Sequence, residues 1–275
     1  MQTPALRHPV VAGRFYPARP TSLERQLDVY LTAEGAAPEK VEGALGCVVP
    51  HAGYMYSGPV AGAVFRRLPG RAAYIILCPN HTGRGVPLAI MSKGEWETPL
   101  GAVPINSELA ALLQRSCHLL MEDARAHEDE HAIEVQLPFL QRNVGAFTFV
   151  PIAIGVSRYA ALEALGHGMA QALKTAAGPV LIVASSDMNH YEPDDITRVK
   201  DSKAIDQILA LDAAGLYEVI HKEDISMCGY GPAVAMLTAV KDLGASRAEL
   251  VRYATSADTS GDRSAVVGYA GVVIS

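Results

Sequence analysis

Cys47-Val48-Val49-Pro50-His51-Ala52-Gly53-Tyr54-Met55-Tyr56-Ser57-Gly58-Pro59 joins a strand end, a titratable side chain and a helix start in one short stretch. The apolar run Leu45 to Val49 has the length of a buried strand, and Pro50, with no N–H to donate, stops it. His51 stands just past the carboxyl end and is followed by a glycine-containing loop. Ser57 and Pro59 predict a helix start, because proline's fixed φ suits a first turn. The helix is expected over Pro59 to Leu68, with Val60, Ala63, Val64 and Leu68 inward. Open α/β sheets build sites where strands end in such residues and turn into helices.

The same layout repeats further along. Ala72 to Cys78 (AAYIILC) is a continuous apolar run of the kind buried on both faces, and it ends in Pro79-Asn80-His81-Thr82-Gly83. Val180 to Ala184 is a third, ending in Ser185-Ser186-Asp187-Met188-Asn189-His190-Tyr191. Around these runs, strands are expected at Val86–Met91, Phe147–Ile154, near Glu249–Tyr253 and at Val266–Ile274, with a hairpin over Gly94–Gly101 that holds the only Trp. Helices are expected at Ser22–Leu31 with Ser22 as cap, Ser107–Arg115, Glu130–Gln141, Tyr159–Ala176, Pro193–Leu209 and Ala213–His221, and Met227–Pro232 introduces a further one running to Leu243. Arg7–Pro20 reads as an ordered opening segment and Glu34–Gly43 as a polar loop. Alternation without a linker or repeat predicts one α/β domain over residues 1–275, a mostly parallel central sheet with helices on both faces.

Composition narrows the function. A chain of 275 residues buries a sizeable core, and a net charge of −6 without a basic block gives nucleic acid nothing to hold. No apolar run reaches the roughly 18 residues of a membrane span. Met1 to Tyr16 lacks the charged-then-apolar pattern of a secretion signal, so the expected compartment is the cytoplasm. Cys47, Cys78, Cys117 and Cys228 are widely spaced with no CxxC pair, against a disulfide framework and against a four-cysteine zinc site. Cys47 and Cys78 fall inside strands and read as core.

Parallel strands present their carboxyl ends at one edge, so His51, His81 and the Asp187/His190 pair are expected to converge. Cys228 joins them just ahead of a helix, where the positive end of the dipole is expected to favour the thiolate. Two neutral imidazoles and a thiolate suit a transition metal with positions left open for substrate or dioxygen. Asp187 and His190 are the candidates for acid/base work or for supporting the ligands. Each of these residues alone reads more simply as a hydrogen-bonded loop residue or a small buried thiol. Three strand ends with the same feature carry the inference.

His127-Glu128-Asp129-Glu130-His131 matches H-E-x-x-H, which on a helix sets two imidazoles over one zinc. Its surroundings are acidic rather than amphipathic, so Glu128, Asp129 and Glu130 read as the first turn of the helix that follows. On that helix His131 and Glu134 share a polar face, either pointing at the site or simply solvated.

Seven motifs, in this order, resemble the Memo family: VAGRFYP from Val11, PHAGYMYSG from Pro50, PNHTG from Pro79, EWETPLG from Glu95, DEHAIEVQLPFL from Asp129, SSDMNHYEP from Ser185 and CGYGP from Cys228. They run from Val11 to Pro232, and with the strands after that the resemblance covers nearly the whole chain. Microbial members are often named protein B of the AmmeMemoRadiSam system, which implies an AMMECR-type protein and a radical SAM protein as partners. The implied fold is similar to that of class III extradiol dioxygenases, which open catechol rings with non-haem ferrous iron. Carried onto this chain, the resemblance implies His51, His81 and Cys228 as metal ligands, with Asp187 and His190 lining the pocket and His190 moving protons. His131, Glu134 and Tyr54 are the groups expected behind them. The dioxygenases use a glutamate as third ligand where this chain has Cys228, and a softer, oxidisable thiolate suits copper(I) or iron and speaks against simple ring cleavage.

The sequence therefore predicts a metal-dependent redox protein, with iron(II) first and copper or zinc behind it, acting on a small oxidisable molecule. Two other readings stand beside it. The same pocket can serve as a binding module for phosphate or a phosphotyrosine peptide, a role with which members of the family have been linked, although no P-loop or arginine cluster supports it. It can also serve as a zinc hydrolase with water in the fourth position.

Overall fold

Strands buried on both faces need apolar residues at every position, and this is what the continuous runs become. In the computed structural model, which describes residues 5–32 and 39–275, Val48, Ile75, Leu77 and Ile152 face one core while Cys47, Val49, Tyr74, Ile76 and Cys78 face another. The strands among the described residues are β1 (Leu6–Arg7), β2 (Gly46–Val49), β3 (Ala73–Pro79), β4 (Leu88–Ile90), β5 (Glu95–Thr98), β6 (Gly101–Pro104), β7 (Met121–Glu122), β8 (Thr148–Ile154), β9 (Val180–Ser185), β10 (His190–Glu192), β11 (Ala248–Thr255) and β12 (Val266–Ile274). The helices are α1 (Pro20–Thr32), α2 (Tyr54–Phe65), α3 (Ser107–Ser116), α4 (Leu137–Val144), α5 (Tyr159–Leu173), α6 (Asp194–Leu209), α7 (Ala213–Lys222), α8 (Tyr230–Asp242) and the short α9 (Ala257–Ser260).

The main sheet has the order β10-β12-β2-β9-β3-β8-β4-β7, with β11 also paired to β12. Its centre, β2-β9-β3-β8, is parallel as expected, and β12 and β4 flank it antiparallel, so the sheet as a whole is mixed. The short link through α9 leaves β11 and β12 no room for a parallel crossover, so they pair antiparallel. Helices α3, α5, α6, α7 and α8 cover one face, and α1, α2 and α4 the other. A small sheet, β1-β5-β6, carries Trp96 on the second side.

The register aims the site. Val49 pairs with Ser185 and Leu77 with Ala184, so β2, β9 and β3 end together and release His51, Asp187 and His81 from one edge.

Three expectations change. Helix α2 begins at Tyr54, so Pro59 lies inside it; the Met55 carbonyl that a residue-59 amide would have bonded accepts the Thr259 hydroxyl at 3.3 Å. The expected helix over Glu130–Gln141 is instead irregular at first, then a 3₁₀ turn at Glu134–Gln136, then α4 from Leu137, with Pro138 in the tolerated first turn. Ser22 is not a cap: α1 starts at Pro20, and the Ser22 and Leu23 amides both donate to the Arg19 carbonyl. The first half of the Glu34–Gly43 loop, residues 34–38, and the first four residues of the chain lie outside the described residues. Among the described residues, no helix is long and apolar enough to cross a membrane, and all four cysteines are free.

Candidate metal centre

His51 leaves β2 straight into a buried polar cluster. Its amide donates to Asp187 Oδ1 at 2.7 Å, and its Nδ1 meets Ser185 Oγ at 3.0 Å. The Ser185 hydroxyl gives its one proton to the Ala132 carbonyl at 2.7 Å and accepts from Gln136 Nε2 at 2.8 Å. What remains is a lone pair, so His51 must donate from Nδ1 and present Nε2 unprotonated. Burial, with His81 and His131 beside it, holds His51 well below the usual histidine range, so the ring is neutral.

His81 follows β3 and is held twice by one carboxylate. Its amide donates to Glu130 Oε2 at 2.7 Å and its Nδ1 lies 2.9 Å from Glu130 Oε1. Glu130 is fully buried and also accepts the Ala132 amide at 3.0 Å. Burial alone would raise its pKa, but His81, the Ala132 amide and His131 outweigh burial and hold it at about 2. Burial lowers His81, and the Glu130 hydrogen bond and charge more than offset it, leaving its pKa raised.

Cys228 reaches the same point from the loop before α8. Its Sγ is 3.2 Å from His51 Nε2 and 3.7 Å from the Asp187 carbonyl. Gly229 lets this loop press against the end of β9: a Cβ there would strike the Ser185 carbonyl and the Ser186 side chain. The expectation of a dipole-stabilised thiolate is reversed. Helix α8 starts only at Tyr230, the Gly229 amide is taken by Ser186 Oγ, and burial together with Asp187 pushes the thiol pKa up. A cation bound beside it would draw off that proton.

The donor atoms of His51, His81 and Cys228 lie within 4.8 Å of one another. They line a cavity of about 480 Å³ whose other walls include Phe15, His131, Asp187, His190, Tyr191 and Tyr269. Burial raises the Asp187 carboxyl against the opposing pull of the His51 amide. His190 Nδ1 lies 2.9 Å from the Ser226 carbonyl, which can only accept, so its Nε2 is the free nitrogen. His131 stacks on His81 with ring centroids 5.0 Å apart and meets the edge of Phe15 at 4.9 Å.

Two of the groups expected behind the ligands face elsewhere. Glu134 accepts from Arg7, from the Val10 and Val11 amides and from the Tyr16 hydroxyl, clasping the opening segment. Tyr54 sends its hydroxyl to the Val135 carbonyl at 2.6 Å. The H-E-x-x-H histidines also part company: His127 is buried edge-on against Trp96, with burial lowering its pKa to about 4, while His131 enters the pocket. Sequence reasoning missed Glu130, Ser185, Gln136 and Ser226. The signal was present only for Glu130, as the carboxylate next to His131 in DEH, and it was read as a helix first turn.

Known proteins bear on the whole chain. A family model described as Memo-like protein matches residues 7–273. A MEMO1 family protein of Methanopyrus kandleri is 44% identical over 277 residues, covering 97% of this chain and 98% of that protein. One from Pyrobaculum arsenaticum is 44% identical over 276 residues, covering 98% of each. One from Methanothermobacter thermautotrophicus is 42% identical over 275 residues, covering 96% of this chain and 99% of that protein.

Proposed function

We propose a metal-dependent redox role for this chain, which belongs to the Memo family. His51 Nε2, His81 Nε2 and Cys228 Sγ hold a transition metal, iron(II) first and copper second, facing a pocket that admits a small oxidisable molecule. One observation carries the reading: three soft or borderline donors, from three separate segments, converge within 4.8 Å. The donor set fits the group, since two rings are pinned through Nδ1 and keep Nε2 for a cation. Bound there, the metal would supply Lewis acidity and one-electron chemistry.

The chain's own groups do the rest. His190, pinned at Nδ1, takes or returns a proton at Nε2. Phe15, Tyr191 and Tyr269 give a planar substrate ring faces to lie against. Among the described residues, the lining offers imidazole, thiol and carboxyl groups but no lysine or arginine, which favours this reading over a phosphate-binding module.

Elemental analysis after anaerobic purification is expected to find about one iron or copper per chain, lost in His51→Ala and Cys228→Ser. If both variants bind iron and copper as tightly as the parent, the site is wrong. Dioxygen uptake with a panel of catechols tests turnover. Zinc without uptake would favour a hydrolase, and phosphate bound to the metal-free protein would favour the binding module.

A further inference from the structure

The site's pinned histidines differ in what pins them. His51 rests on a neutral hydroxyl, Ser185 Oγ at 3.0 Å, and His190 on a backbone carbonyl, Ser226 at 2.9 Å. Only His81 is held by a full negative charge, and that carboxylate holds it at both the ring and the backbone amide. The carboxylate is itself immobilised. Glu130 is fully buried, its Oε1 also takes the Ala132 amide, and its carbonyl accepts Arg7 Nη2 at 2.6 Å.

We propose that Glu130 is the positioning residue of the centre, fixing the His81 ring as its Nδ1–H form and strengthening Nε2 as a donor. This rests on the reading of His51, His81 and Cys228 as metal ligands. A carboxylate behind a ligating imidazole orients the ring and raises its basicity, and losing such a partner costs roughly 10–100-fold in metal affinity. A hydroxyl does the first but little of the second, so Glu130 outweighs Ser185. A rival arrangement exists at the same spot. His81, Glu130 and His131 also bring donor atoms within 4.8 Å of one another, with His131 Nδ1 3.5 Å from Glu130 Oε1. There Glu130 would be a ligand itself. The two differ in what His131 does: as a ligand its loss should cost as much as that of Glu130, and as a neighbour far less.

The test is anaerobic titration with iron(II), and separately zinc(II), against a competing chelator. Glu130→Gln keeps the shape and one acceptor oxygen, removes the charge, and turns an NH2 toward one of the N–H groups that the carboxylate accepts. It is expected to weaken binding roughly 10–100-fold, and Ser185→Ala to weaken it less. Tyr16→Phe, which disturbs the same corner through Glu134 without touching the centre, controls for general loosening and should leave affinity within about twofold. In the metal-free protein, long-range proton–nitrogen NMR should find His81 protonated at Nδ1 in the parent and a mixture of forms in Glu130→Gln. Equal affinity of Glu130→Gln and parent overturns the proposal, as does a His131→Ala loss matching that of Glu130→Gln. If the parent takes up neither metal, the metal reading fails separately. The His81 ring then decides alone, and an unchanged Nδ1–H form in Glu130→Gln overturns the proposal.

Discussion

Glu130 and Glu134 are both fully buried carboxylates on one short segment, yet they serve different parts of the molecule. Glu130 looks toward His81. Glu134 looks back at Arg7, itself 6% exposed, and gathers two amides and a hydroxyl from the opening segment. Removing one partner of a buried ion pair strands the other charge, so Glu134→Gln is expected to cost about 3 kcal/mol or more in urea unfolding. A loss under about 1 kcal/mol would mean that the Glu130 and His127 carbonyls satisfy Arg7 unaided. Neither role was legible in the sequence, where a helical reading put Glu134 beside His131. The partner that turns it away lies 127 positions distant, beyond any local spacing rule. His51 and His81 were legible because a strand's end can be read from its apolar run. Ser185, which sets the form of His51, reads only as the first residue past such a run.

Helix α2 is where local propensity and packing disagree most. Pro59 suggested a helix start, but α2 already opens at Tyr54, where the Phe15 carbonyl accepts the first amide at 2.8 Å. Its glycines, poor helix formers, are explained by α1. A Cβ on Gly62 would lie 2.5 Å from the Tyr30 carbonyl oxygen, and backbone cannot swing aside as a side chain can. Gly62→Ala therefore sets two effects against each other. Helix propensity gains about 1 kcal/mol, while forced separation of the helices costs typically 1–3 kcal/mol, occasionally more. With the approach this close the cost should win, and thermal unfolding should show a lower midpoint for the variant. A raised midpoint would mean that α1 shifts freely over α2. The central strands were legible for the opposite reason: burial on both faces demands unbroken apolar runs, and no partner is needed to recognise them. The antiparallel flanks were not, since pairing direction depends on connections rather than on composition.

Two buried carboxylates, Glu130 and Asp201, should make opposite contributions to the pH dependence of stability. Glu130 is held at about 2, below the ordinary 4.5, so its contribution is present above pH 4.5 and is lost as pH falls toward 2. Asp201 on α6 works in the other direction. It is fully buried, accepts the Tyr253 hydroxyl at 2.7 Å and the Asn189 amide at 2.8 Å, and burial outweighs these bonds and Arg198 to lift it to about 6. Its folded pKa lies above the ordinary 3.8, so the folded chain binds the extra proton between about pH 4 and 6 and loses stability as pH rises through that window. The span of that loss is on the order of 3 kcal/mol, from a shift of about two pKa units. Asn189 is the residue before His190, and its side chain accepts the Ser226 amide at 3.0 Å, so Asp201 supports the wall of the pocket that carries His190. Asp201→Asn keeps an acceptor for the Asn189 amide and removes the titration. Measured by urea unfolding of the metal-free protein, parent and variant should differ least near pH 4. The variant should gain on the parent up to pH 7, while both fall together below pH 4 as Glu130 protonates. Parallel curves between pH 4 and 7 would mean that Asp201 ionises in the folded chain at an ordinary pH, and that solvent reaches α6 beside the pocket.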